Sequence, residues 1–353
     1  MNSIFGESLR GLPGPILVTG HTGFKGTWLT LLLEYLNIPV VGISLPPEAN
    51  SLYSLMKREN KIAEKFIDIR DLSELQSTIQ KFAPSAVLHM AAQPLVLESY
   101  ESPLSTFAIN VIGTANLLQS CLQSLTVGTI GVVTTDKVYR NLGKKRSFIE
   151  SDPLEGKDPY SASKVGTESV VNAWREISMN HGGPQIFSLR AGNVIGGGDR
   201  ARNRLLPDIV NSRLSGNPLE VRNPKSTRPW QHVLDPLHGY LMALEKSINK
   251  KIAPAYNFGP SSKSITVDNV VKIANNTWGN SLVVHNLDDS QKIKHEAAEL
   301  SIDASLSSRE LDWRPRWSQE EAVKSTINWW KQVSEGTMTA HQSCLLDIKY
   351  LFE

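Results

Sequence analysis

A tyrosine and a lysine four positions apart, Tyr160 and Lys164, are the residues whose types and spacing most directly suggest chemistry. Residues i and i+4 of a helix lie on one face, so both side chains could address the same substrate hydroxyl. A phenol with a pKa of about 10 is a poor base at neutral pH, but a neighbouring ammonium favours the phenolate. We therefore expect Lys164 to lower the pKa of Tyr160 and Tyr160 to act as a general base. The alternative is a surface tyrosine-lysine pair without function.

A second polar group, Thr134-Thr135-Asp136-Lys137, follows an apolar segment. If that segment is a strand of a parallel sheet, these residues lie at its carboxyl edge, where α/β proteins bind ligands. Thr135 could hydrogen-bond the reacting hydroxyl, while Asp136 and Lys137 form an acid/base pair beside it. The alternative is a polar strand end with an ordinary salt bridge.

Three glycines with GxxGxxG spacing follow the first apolar segment, at Gly20, Gly23 and Gly26. In a strand-to-helix turn, Gly20 can take a positive φ and Gly23 admits backbone N–H groups to a pyrophosphate. Gly26 then lets the helix lie close to the strand, with its N-terminus facing the anion. We predict a dinucleotide site here. A glycine turn that only connects strand and helix is the alternative.

The choice of dinucleotide depends on the end of the second predicted strand, where an acid that binds the ribose is expected about 20 residues after the loop. The strand ends instead at Ile43-Ser44-Leu45, with Glu48 the nearest acid and no adjacent arginine. The lack of a partner for a 2′-phosphate favours NAD over NADP. Asp68 and Ile69, after the third strand, are predicted to contact adenine; a strand-end aspartate that caps a turn is the alternative.

The segments around these residues alternate between short apolar runs and helical patterns. The predicted strands are Ile16–Thr19, Ile38–Ile43, Lys65–Asp68, Ala86–His89, Gly131–Thr134 and Ile186–Leu189, and the predicted helices are Phe24–Tyr35, Leu72–Phe82, Pro103–Leu122 and Tyr160–Met179. Repeated β-α-β units predict a Rossmann-type doubly wound parallel sheet covered on both faces. Beyond Gly196-Gly197-Gly198 the alternation weakens. We predict an NAD-binding Rossmann domain over residues 1–195 and a smaller C-terminal substrate-binding lobe over residues 196–353, some segments of which return to the Rossmann domain.

The composition excludes several classes of protein. The 353 residues carry a formal net charge of only +2 without a long basic block, which argues against nucleic acid as a partner. Cys121 and Cys344 lie outside any CxxC or Cys/His cluster, so we expect neither a disulfide framework nor a metal site. No segment has about 20 uninterrupted apolar residues and the N-terminus lacks a long apolar run, so we expect a cytoplasmic protein without a membrane partner.

Several longer motifs run through the chain. They are Gly20–Gly26, His89–Pro94, Thr135–Lys137, Asp158–Ser161, Arg190–Asp199, Arg228–Leu234, His295–Ala297 and Trp313–Trp317. On these residues the chain resembles, nearly end to end, the CDP-glucose 4,6-dehydratases, an extended branch of the short-chain dehydrogenase/reductase superfamily. Asp136-Lys137 is the most telling detail, because the related dTDP-glucose dehydratases typically carry Asp-Glu there and the 4-epimerases carry neither acid/base pair.

The resemblance implies a three-stage reaction from CDP-glucose to CDP-4-keto-6-deoxyglucose. Tyr160 would remove the C4 hydroxyl proton as hydride passes from C4 to NAD. The resulting ketone acidifies the C5 hydrogen, and water leaves from C6 with Asp136 as the proton donor and Lys137 as the C5 base. The hydride then returns to C6. Thr135 and Lys164 complete the predicted catalytic set.

The predicted ligand sites extend beyond the catalytic residues. The cofactor site comprises Gly20, Thr22, Gly23, Phe24, Gly26, Asp68, Ile69, Ala91, Ala92, Gln93, Asn110, Tyr160 and Lys164; the substrate site comprises Gln93, Thr135, Asn193 and Arg228. A guanidinium at Arg228 suits phosphate oxygens because it can bind them bidentately, and Asn193 could add a neutral donor. Trp230 and His232 stay outside the catalytic set as core or packed loop residues. The resemblance also implies a homodimer or higher homo-oligomer.

The chain departs from the family pattern at a few positions. Leu97 stands where arginine is common, Thr135 where serine is usual, and Arg200 where tryptophan is usual, while the loop over residues 140–157 lacks two aromatic residues. These changes bear on substrate identity more than on reaction class. A sugar-nucleotide 4-epimerase or reductase would share Tyr160 and Lys164 without needing the acid/base pair, and a non-catalytic NAD-binding protein is a third interpretation.

Overall fold

A computed structural model describes residues 5–143, 146–221, 223–262, 264–279, 282–286 and 300–353. The motif His295–Ala297 lies outside the described residues. Within them, no helix is both long and apolar enough to span a membrane.

The elements run in the following order along the chain. The strands are β1 (Ile16–Thr19), β2 (Val40–Ser44), β3 (Ala63–Phe66), β4 (Ala86–His89), β5 (Thr129–Val133), β6 (Gln185–Ala191), β7 (Val194–Ile195), β8 (Leu219–Val221), β9 (Thr227–Arg228), β10 (Gln231–His232), β11 (Ala255–Phe258), β12 (Ile265–Thr266) and β13 (Val284–Asn286). The helices are α1 (Glu7–Arg10), α2 (Phe24–Tyr35), α3 (Leu52–Leu55), α4 (Leu72–Phe82), α5 (Val96–Glu101), α6 (Pro103–Phe107), α7 (Thr114–Leu122), α8 (Pro159–Asn180), α9 (Leu205–Ser215), α10 (Leu234–Asn249), α11 (Val267–Trp278), α12 (Ser305–Leu311), α13 (Gln319–Ser334) and α14 (Ala340–Phe352). A π-helical turn (Ala108–Gly113) joins α6 to α7, and a 3₁₀ turn (Asp136–Val138) follows β5.

Seven of the described strands form one parallel sheet in the order β11-β6-β5-β4-β1-β2-β3. Successive side chains of β1 enter two separate cores: Ile16 and Val18 pack with one cluster, and Leu17 packs with the other. Each face of the sheet is therefore buried under helices, as the alternating pattern requires. The predicted Rossmann-type doubly wound sheet is confirmed.

The predicted elements are all present, with three differences in detail. The third strand begins at Ala63, two residues before the predicted start, because β3 is an exposed edge strand without an apolar run. The predicted helix over Pro103–Leu122 contains the π-helical turn, where the Asn110 carbonyl oxygen accepts the hydroxyls of Thr114 at 2.7 Å and Thr167 at 2.8 Å. The seventh strand, β11, was not predicted because it is short and contains a buried asparagine.

The region after residue 195 contributes to both parts of the molecule. β11 joins the main sheet beside β6, and α10 packs against β5 and α2. Three two-stranded ladders, β7 with β10, β8 with β13 and β9 with β12, lie apart from that sheet. Segments of the C-terminal half thus return to the main sheet. The domain division at residue 195 stays a prediction.

Candidate active site

The glycine loop joins β1 to α2 at the point where the strand order reverses, between β1 and β4. Gly20 has a φ of +74°, and a Cβ there would lie 2.8 Å from the backbone nitrogen of Ala91. A Cβ on Gly26 would collide with the Gly20 carbonyl oxygen. Helix α2 follows Gly23 without a side-chain cap, so its first N–H groups are available to an anion. The conformations expected of Gly20 and Gly26 are present, and Phe24 begins the helix as predicted.

The side chains predicted to border the adenosine have local partners. The Thr22 hydroxyl lies 2.7 Å from that of Ser44 and ties the loop to the end of β2. The Asp68 carboxylate accepts Arg70 Nε at 3.0 Å and the Arg70 backbone N–H at 2.9 Å, so it caps a turn. This contact matches the alternative interpretation of Asp68, a strand-end aspartate that caps a turn. Adenine contact by Asp68 and Ile69 stays a prediction.

Tyr160 stands in the first turn of α8, and several contacts fix where this helix begins. Asp158 and Ser161 form a capping box, and Pro159 occupies the first helical position. The Tyr160 backbone N–H donates to Ser99 Oγ at 3.1 Å. A helix cannot satisfy this N–H internally, so the bond from α5 fixes Tyr160 from outside.

The phenol of Tyr160 is not activated by Lys164 in this structure. Burial raises the pKa of Tyr160 to about 12, opposed by a hydrogen bond with Thr135 and by the charge of Arg204. Lys164 Nζ donates instead to the Val133 carbonyl oxygen at 3.2 Å. The lowered pKa expected for Tyr160 is therefore not found, because burial is the largest effect on the phenol and the Lys164 ammonium is directed to the end of β5.

Two cations that were not predicted as site residues add positive charge here: Lys25 lies near Lys164, and Arg204 lies near Lys25 and Tyr160. Burial lowers the pKa of Lys164 to about 8. Burial and the charges of Lys164 and Arg204 lower the pKa of Lys25 to about 7. Lys25 Nζ donates to the Tyr240 hydroxyl at 2.8 Å. These cations come from three distant chain segments, so sequence spacing gave no signal of their proximity, although a lysine inside the glycine loop is itself a visible cue.

Thr135 caps the 3₁₀ turn that contains Asp136 and Lys137, and this turn follows the carboxyl end of β5, the position predicted for the motif. Thr135 Oγ1 donates to Asp136 Oδ1 at 3.1 Å, and Lys137 Nζ lies 3.9 Å from the same oxygen. Asp136 Oδ2 is buried and has no hydrogen-bond partner among the described residues. Burial raises the pKa of Asp136 despite the opposing charge of Lys137. A buried carboxyl with a raised pKa and one uncommitted oxygen suits a proton donor.

The predicted ligand residues after β4 are engaged within the protein. Gln93 Nε2 donates to Thr106 Oγ1 at 2.9 Å, and the Gln93 backbone N–H donates to Asn110 Oδ1 at 2.8 Å. Ala91 and Ala92 are half-buried beside the glycine loop. The amides of Gln93 and Asn110 thus brace the loop, and their contacts with ligands stay predictions.

The two predicted substrate residues of the C-terminal half lie on a short strand and in a connection between strands. Arg228, on β9, is buried. Its charge acts to lower the pKa of Asp136 against the larger effect of burial, so Arg228 lies near the catalytic segment. Asn193 lies between β6 and β7 and is half-buried. His232 stacks on Trp317 with centroids 4.3 Å apart, consistent with a packed residue.

The structure shows contacts made at two departures from the family pattern, Arg200 and the loop over residues 140–157. The Arg200 guanidinium carbon lies 4.8 Å from the centroid of the Trp330 ring on α13. Arg140 Nε pairs with Glu155 Oε2 at 2.6 Å and joins the two sides of the loop before α8. Leu97 lies half-buried on α5. No group of three or more histidine, cysteine, aspartate or glutamate side chains in the described part of the chain could hold a metal ion.

Comparison with known proteins gives a consistent result. A family model described as GDP-mannose 4,6 dehydratase matches residues 17–326. The CDP-glucose 4,6-dehydratase of Salmonella typhimurium is 39% identical over 325 residues, which cover 90% of this chain and 90% of the relative.

Solved structures agree with the fold. The dTDP-glucose 4,6-dehydratase DesIV from Streptomyces venezuelae, determined with NAD bound, is 25% identical with a TM-score of 0.78 over 92% of this chain and 99% of its own. The UDP-glucose-4-epimerase of Stenotrophomonas maltophila, with bound NAD, is 23% identical with a TM-score of 0.79 over 92% of this chain and 99% of its own, a likeness of fold alone.

Proposed function

The chain belongs to the GDP-mannose 4,6-dehydratase family, and we propose that it is an NAD-dependent nucleotide-sugar 4,6-dehydratase that converts CDP-glucose to CDP-4-keto-6-deoxyglucose. One observation carries the proposal beyond fold. The buried Asp136 keeps Oδ2 without a partner among the described residues, beside Lys137 and Thr135. A reaction confined to C4 needs no such acid/base pair, whereas removal of water across C5 and C6 needs both members.

The glycine cradle fits a dinucleotide. A side chain at Gly20 or Gly26 would fill the space between β1, β4 and the start of α2, and the uncapped helix N-terminus faces the same side. We assign NAD to this cradle, the cofactor that DesIV holds. When bound there, NAD would supply the hydride acceptor for oxidation at C4 and the hydride donor for reduction at C6. The charges of Lys25, Lys164 and Arg204 favour the phosphates of cofactor and substrate.

In the oxidation step, the phenolate form of Tyr160 accepts the proton of the C4 hydroxyl, and the hydrogen bond between Thr135 and the phenol favours that form. Burial disfavours the phenolate, and the positive charge of Arg204 favours it by lowering the pKa of Tyr160. Ser99 holds the backbone of Tyr160 in place from α5.

In the elimination step, Lys137 removes the C5 proton that the C4 ketone has acidified, and it returns this proton to C5 when the hydride is delivered to C6. Asp136 gives its proton to the C6 hydroxyl, which leaves as water. Burial raises the pKa of Asp136 and thereby keeps the proton available. Arg228, whose charge acts on this carboxyl, is assigned to the diphosphate of the sugar nucleotide, which a guanidinium can bind bidentately.

The alternative is a 4-epimerase or reductase that uses Tyr160 and Lys164 alone. The fold is shared with an epimerase, so fold does not separate the two. Purified protein should convert CDP-glucose, without added reductant, to a product that has lost one water by mass spectrometry and absorbs in alkaline ultraviolet. An unchanged sugar would contradict the dehydratase proposal, and a new product of unchanged mass would support the epimerase.

Substrate identity is tested with a panel of CDP-, dTDP-, UDP- and GDP-sugars. We expect CDP-glucose to give the highest kcat/KM, and a higher value for another base would contradict the assignment. The Tyr160→Phe variant should bind NAD but stop hydride transfer. We further propose that the protein acts in the cytoplasm as a homodimer.

A further inference from the structure

A buried ion pair between Glu168 and Arg190 lies next to the predicted catalytic residues, although neither side chain belongs to that set. Glu168 lies on α8 one turn after Lys164, and Arg190 lies on β6. Their contact is bidentate, with Arg190 Nε to Glu168 Oε1 and Arg190 NH2 to Glu168 Oε2 both at 2.8 Å. Both side chains are at most 5% exposed. Fixed bidentate geometry in a dry interior makes this pair a rigid unit.

The glutamate end of the pair holds the residue before the catalytic segment. Thr134 Oγ1 donates to Glu168 Oε1 at 2.6 Å, and Ser188 Oγ donates to Glu168 Oε2 at 2.8 Å. With the two bonds from Arg190, the carboxylate accepts four hydrogen bonds. Thr134 is therefore fixed to both α8 and β6.

The arginine end holds the residue just after the segment. Arg190 NH1 donates to the Tyr139 hydroxyl at 3.0 Å and to the Glu150 carbonyl oxygen at 3.0 Å. The Tyr139 hydroxyl in turn donates to Asn257 Oδ1 on β11 at 2.6 Å. Thus the same ion pair bonds the residues on both sides of Thr135–Val138.

The turn between these two anchors is weakly held by its own bonds. The backbone bonds from Val138 N to Thr135 O and from Tyr139 N to Asp136 O are both 3.5 Å long. The bond from Lys137 N to Thr135 Oγ1 is 3.3 Å. These lengths lie beyond the usual range for N–H···O bonds. A backbone bond from Glu155 N to the Val138 carbonyl oxygen, at 2.9 Å, holds the last residue of the turn. The position of Asp136 and Lys137 therefore depends on contacts from outside the turn, among them the two anchors.

We propose that Glu168 and Arg190 are positioning residues for elimination, which hold Asp136 and Lys137 at a fixed place relative to C5 and C6. Hydride transfer depends on Tyr160, whose helix start is fixed separately by its capping box and by Ser99. Loosening the anchors should slow elimination more than oxidation. This proposal rests on the proposed dehydratase function.

The test removes the two outer hydroxyls and leaves the ion pair intact. The double variant Thr134→Val/Tyr139→Phe deletes the bonds at both anchors while keeping side-chain volume and the stacking of residue 139 on Phe148. A matched control, Thr129→Val/Tyr256→Phe, makes the same chemical changes at buried hydroxyls of the same sheet that bond Ser247 and Glu310.

Two measurements are made on each protein. Hydrogen exchange followed by mass spectrometry reports the mobility of amides 134–140 in the protein without substrate. Single-turnover mixing with CDP-glucose separates the appearance of reduced cofactor from the appearance of the 6-deoxy product. For the anchor variant we expect faster exchange at 134–140, oxidation within about twofold of wild type and elimination slowed by about tenfold or more, equivalent to about 1.4 kcal/mol.

The outcomes separate the two proposals. Equal loss of both steps, losses no larger than those of the control, or unchanged exchange at 134–140 would overturn the positioning role. If wild-type protein forms no dehydrated product from any sugar of the panel, the dehydratase proposal fails, and the exchange data still decide whether the anchors hold the segment. Should the double variant not fold, Tyr139→Phe alone should show the same order of effects at smaller size.

Discussion

Two effects act in opposite directions on the pKa of the Asp136 carboxyl group. Its Oδ1 accepts a hydrogen bond from Thr135, which favours the charged form, while its burial favours the neutral form. Burial is the larger effect, so the pKa rises. A carboxyl whose pKa is raised in this way keeps its proton to a higher pH than a surface aspartate does, which suits a proton donor.

Asp136→Asn tests this role because it keeps size and hydrogen bonding but removes the acidic proton. We expect formation of the dehydrated product to fall by about 10² to 10⁴, the usual contribution of general acid catalysis. Reduction of the cofactor by substrate should persist, because Tyr160 is untouched. Stopped-flow absorbance and product analysis measure the two steps. Normal dehydration by the variant would remove Asp136 from the mechanism.

Burial of the Lys164 ammonium lowers the free energy of unfolding of the protein. Burial lowers its pKa from 10.5 to about 8, so the folded protein binds this proton less tightly than the unfolded chain does. At 1.36 kcal/mol per pKa unit the cost is about 3 kcal/mol. The cost is fully present below about pH 8 and is relieved as the pH rises toward 10.5.

Lys164→Met removes this cost and loses one hydrogen bond to the Val133 carbonyl oxygen, worth about 1 kcal/mol. We expect the variant to be more stable than wild type by about 2 kcal/mol at neutral pH, with a smaller difference near pH 10. Urea unfolding at both pH values measures it, with the exposed Lys272→Met as a control. A variant less stable than wild type at neutral pH would contradict the assignment.

At the scale of single residues, the sequence predicted which side chains form the site better than it predicted the contacts between them. Tyr160, Lys164 and Asp136 were named from spacing and from position after a strand. The direction of the pKa shift at Tyr160 was not predictable, because it depends on burial and on Arg204, which comes from a loop some 40 residues away. Glu168 and Arg190 were missed as a unit because their pairing depends on contact between α8 and β6.

The elements position these residues through two helix starts. Helix α2 begins at the glycine loop and α8 begins at the capping box, and both N-termini lie at the carboxyl side of the parallel sheet. The alternation of strands and helices predicted this arrangement, since it depends on short-range pattern. The edge strand β3 and the short strand β11 were mispredicted, because their places in the sheet depend on partners distant in sequence.

Gly23 and Gly26 should respond differently to alanine, because a Cβ on Gly26 would overlap the backbone whereas one on Gly23 would make only a close contact with it. A Cβ on Gly26 collides with the Gly20 carbonyl oxygen, whereas one on Gly23 lies 3.3 Å from that atom. Gly23 also has a φ of −73°, which alanine adopts freely. Gly26→Ala should lower both Tm and NAD affinity.

Gly23→Ala should leave Tm nearly unchanged and weaken NAD binding by about tenfold, or about 1.4 kcal/mol, because its methyl group would occupy space needed by the pyrophosphate. Differential scanning calorimetry and titration calorimetry with NAD separate the two effects. Unchanged NAD affinity in Gly23→Ala would place the pyrophosphate elsewhere. Equal loss of Tm in both variants would contradict the packing argument.

On the scale of the whole molecule, an apolar surface beside the catalytic helix is left exposed by the residues that the structure describes. Leu104 is 86% exposed and Ile112 is 55% exposed, and both lie on the helical run over α6 and the π-helical turn that packs against α8. Phe107 adds a further exposed ring between them. Contiguous exposed apolar residues of this kind mark protein interfaces. This surface is the site that we expect for the proposed homodimer.

The double variant Leu104→Glu/Ile112→Glu should dissociate the dimer, because charges would be buried without partners at a self-complementary interface. Light scattering coupled to size exclusion measures the mass, and Leu125→Glu, at a fully exposed loop position, serves as the control. A wild-type monomer, or a variant that keeps the wild-type mass, would contradict the proposed interface. Because α8 carries Tyr160 at its start, dissociation should also lower activity, and the loss should be reversed at protein concentrations high enough to restore the dimer.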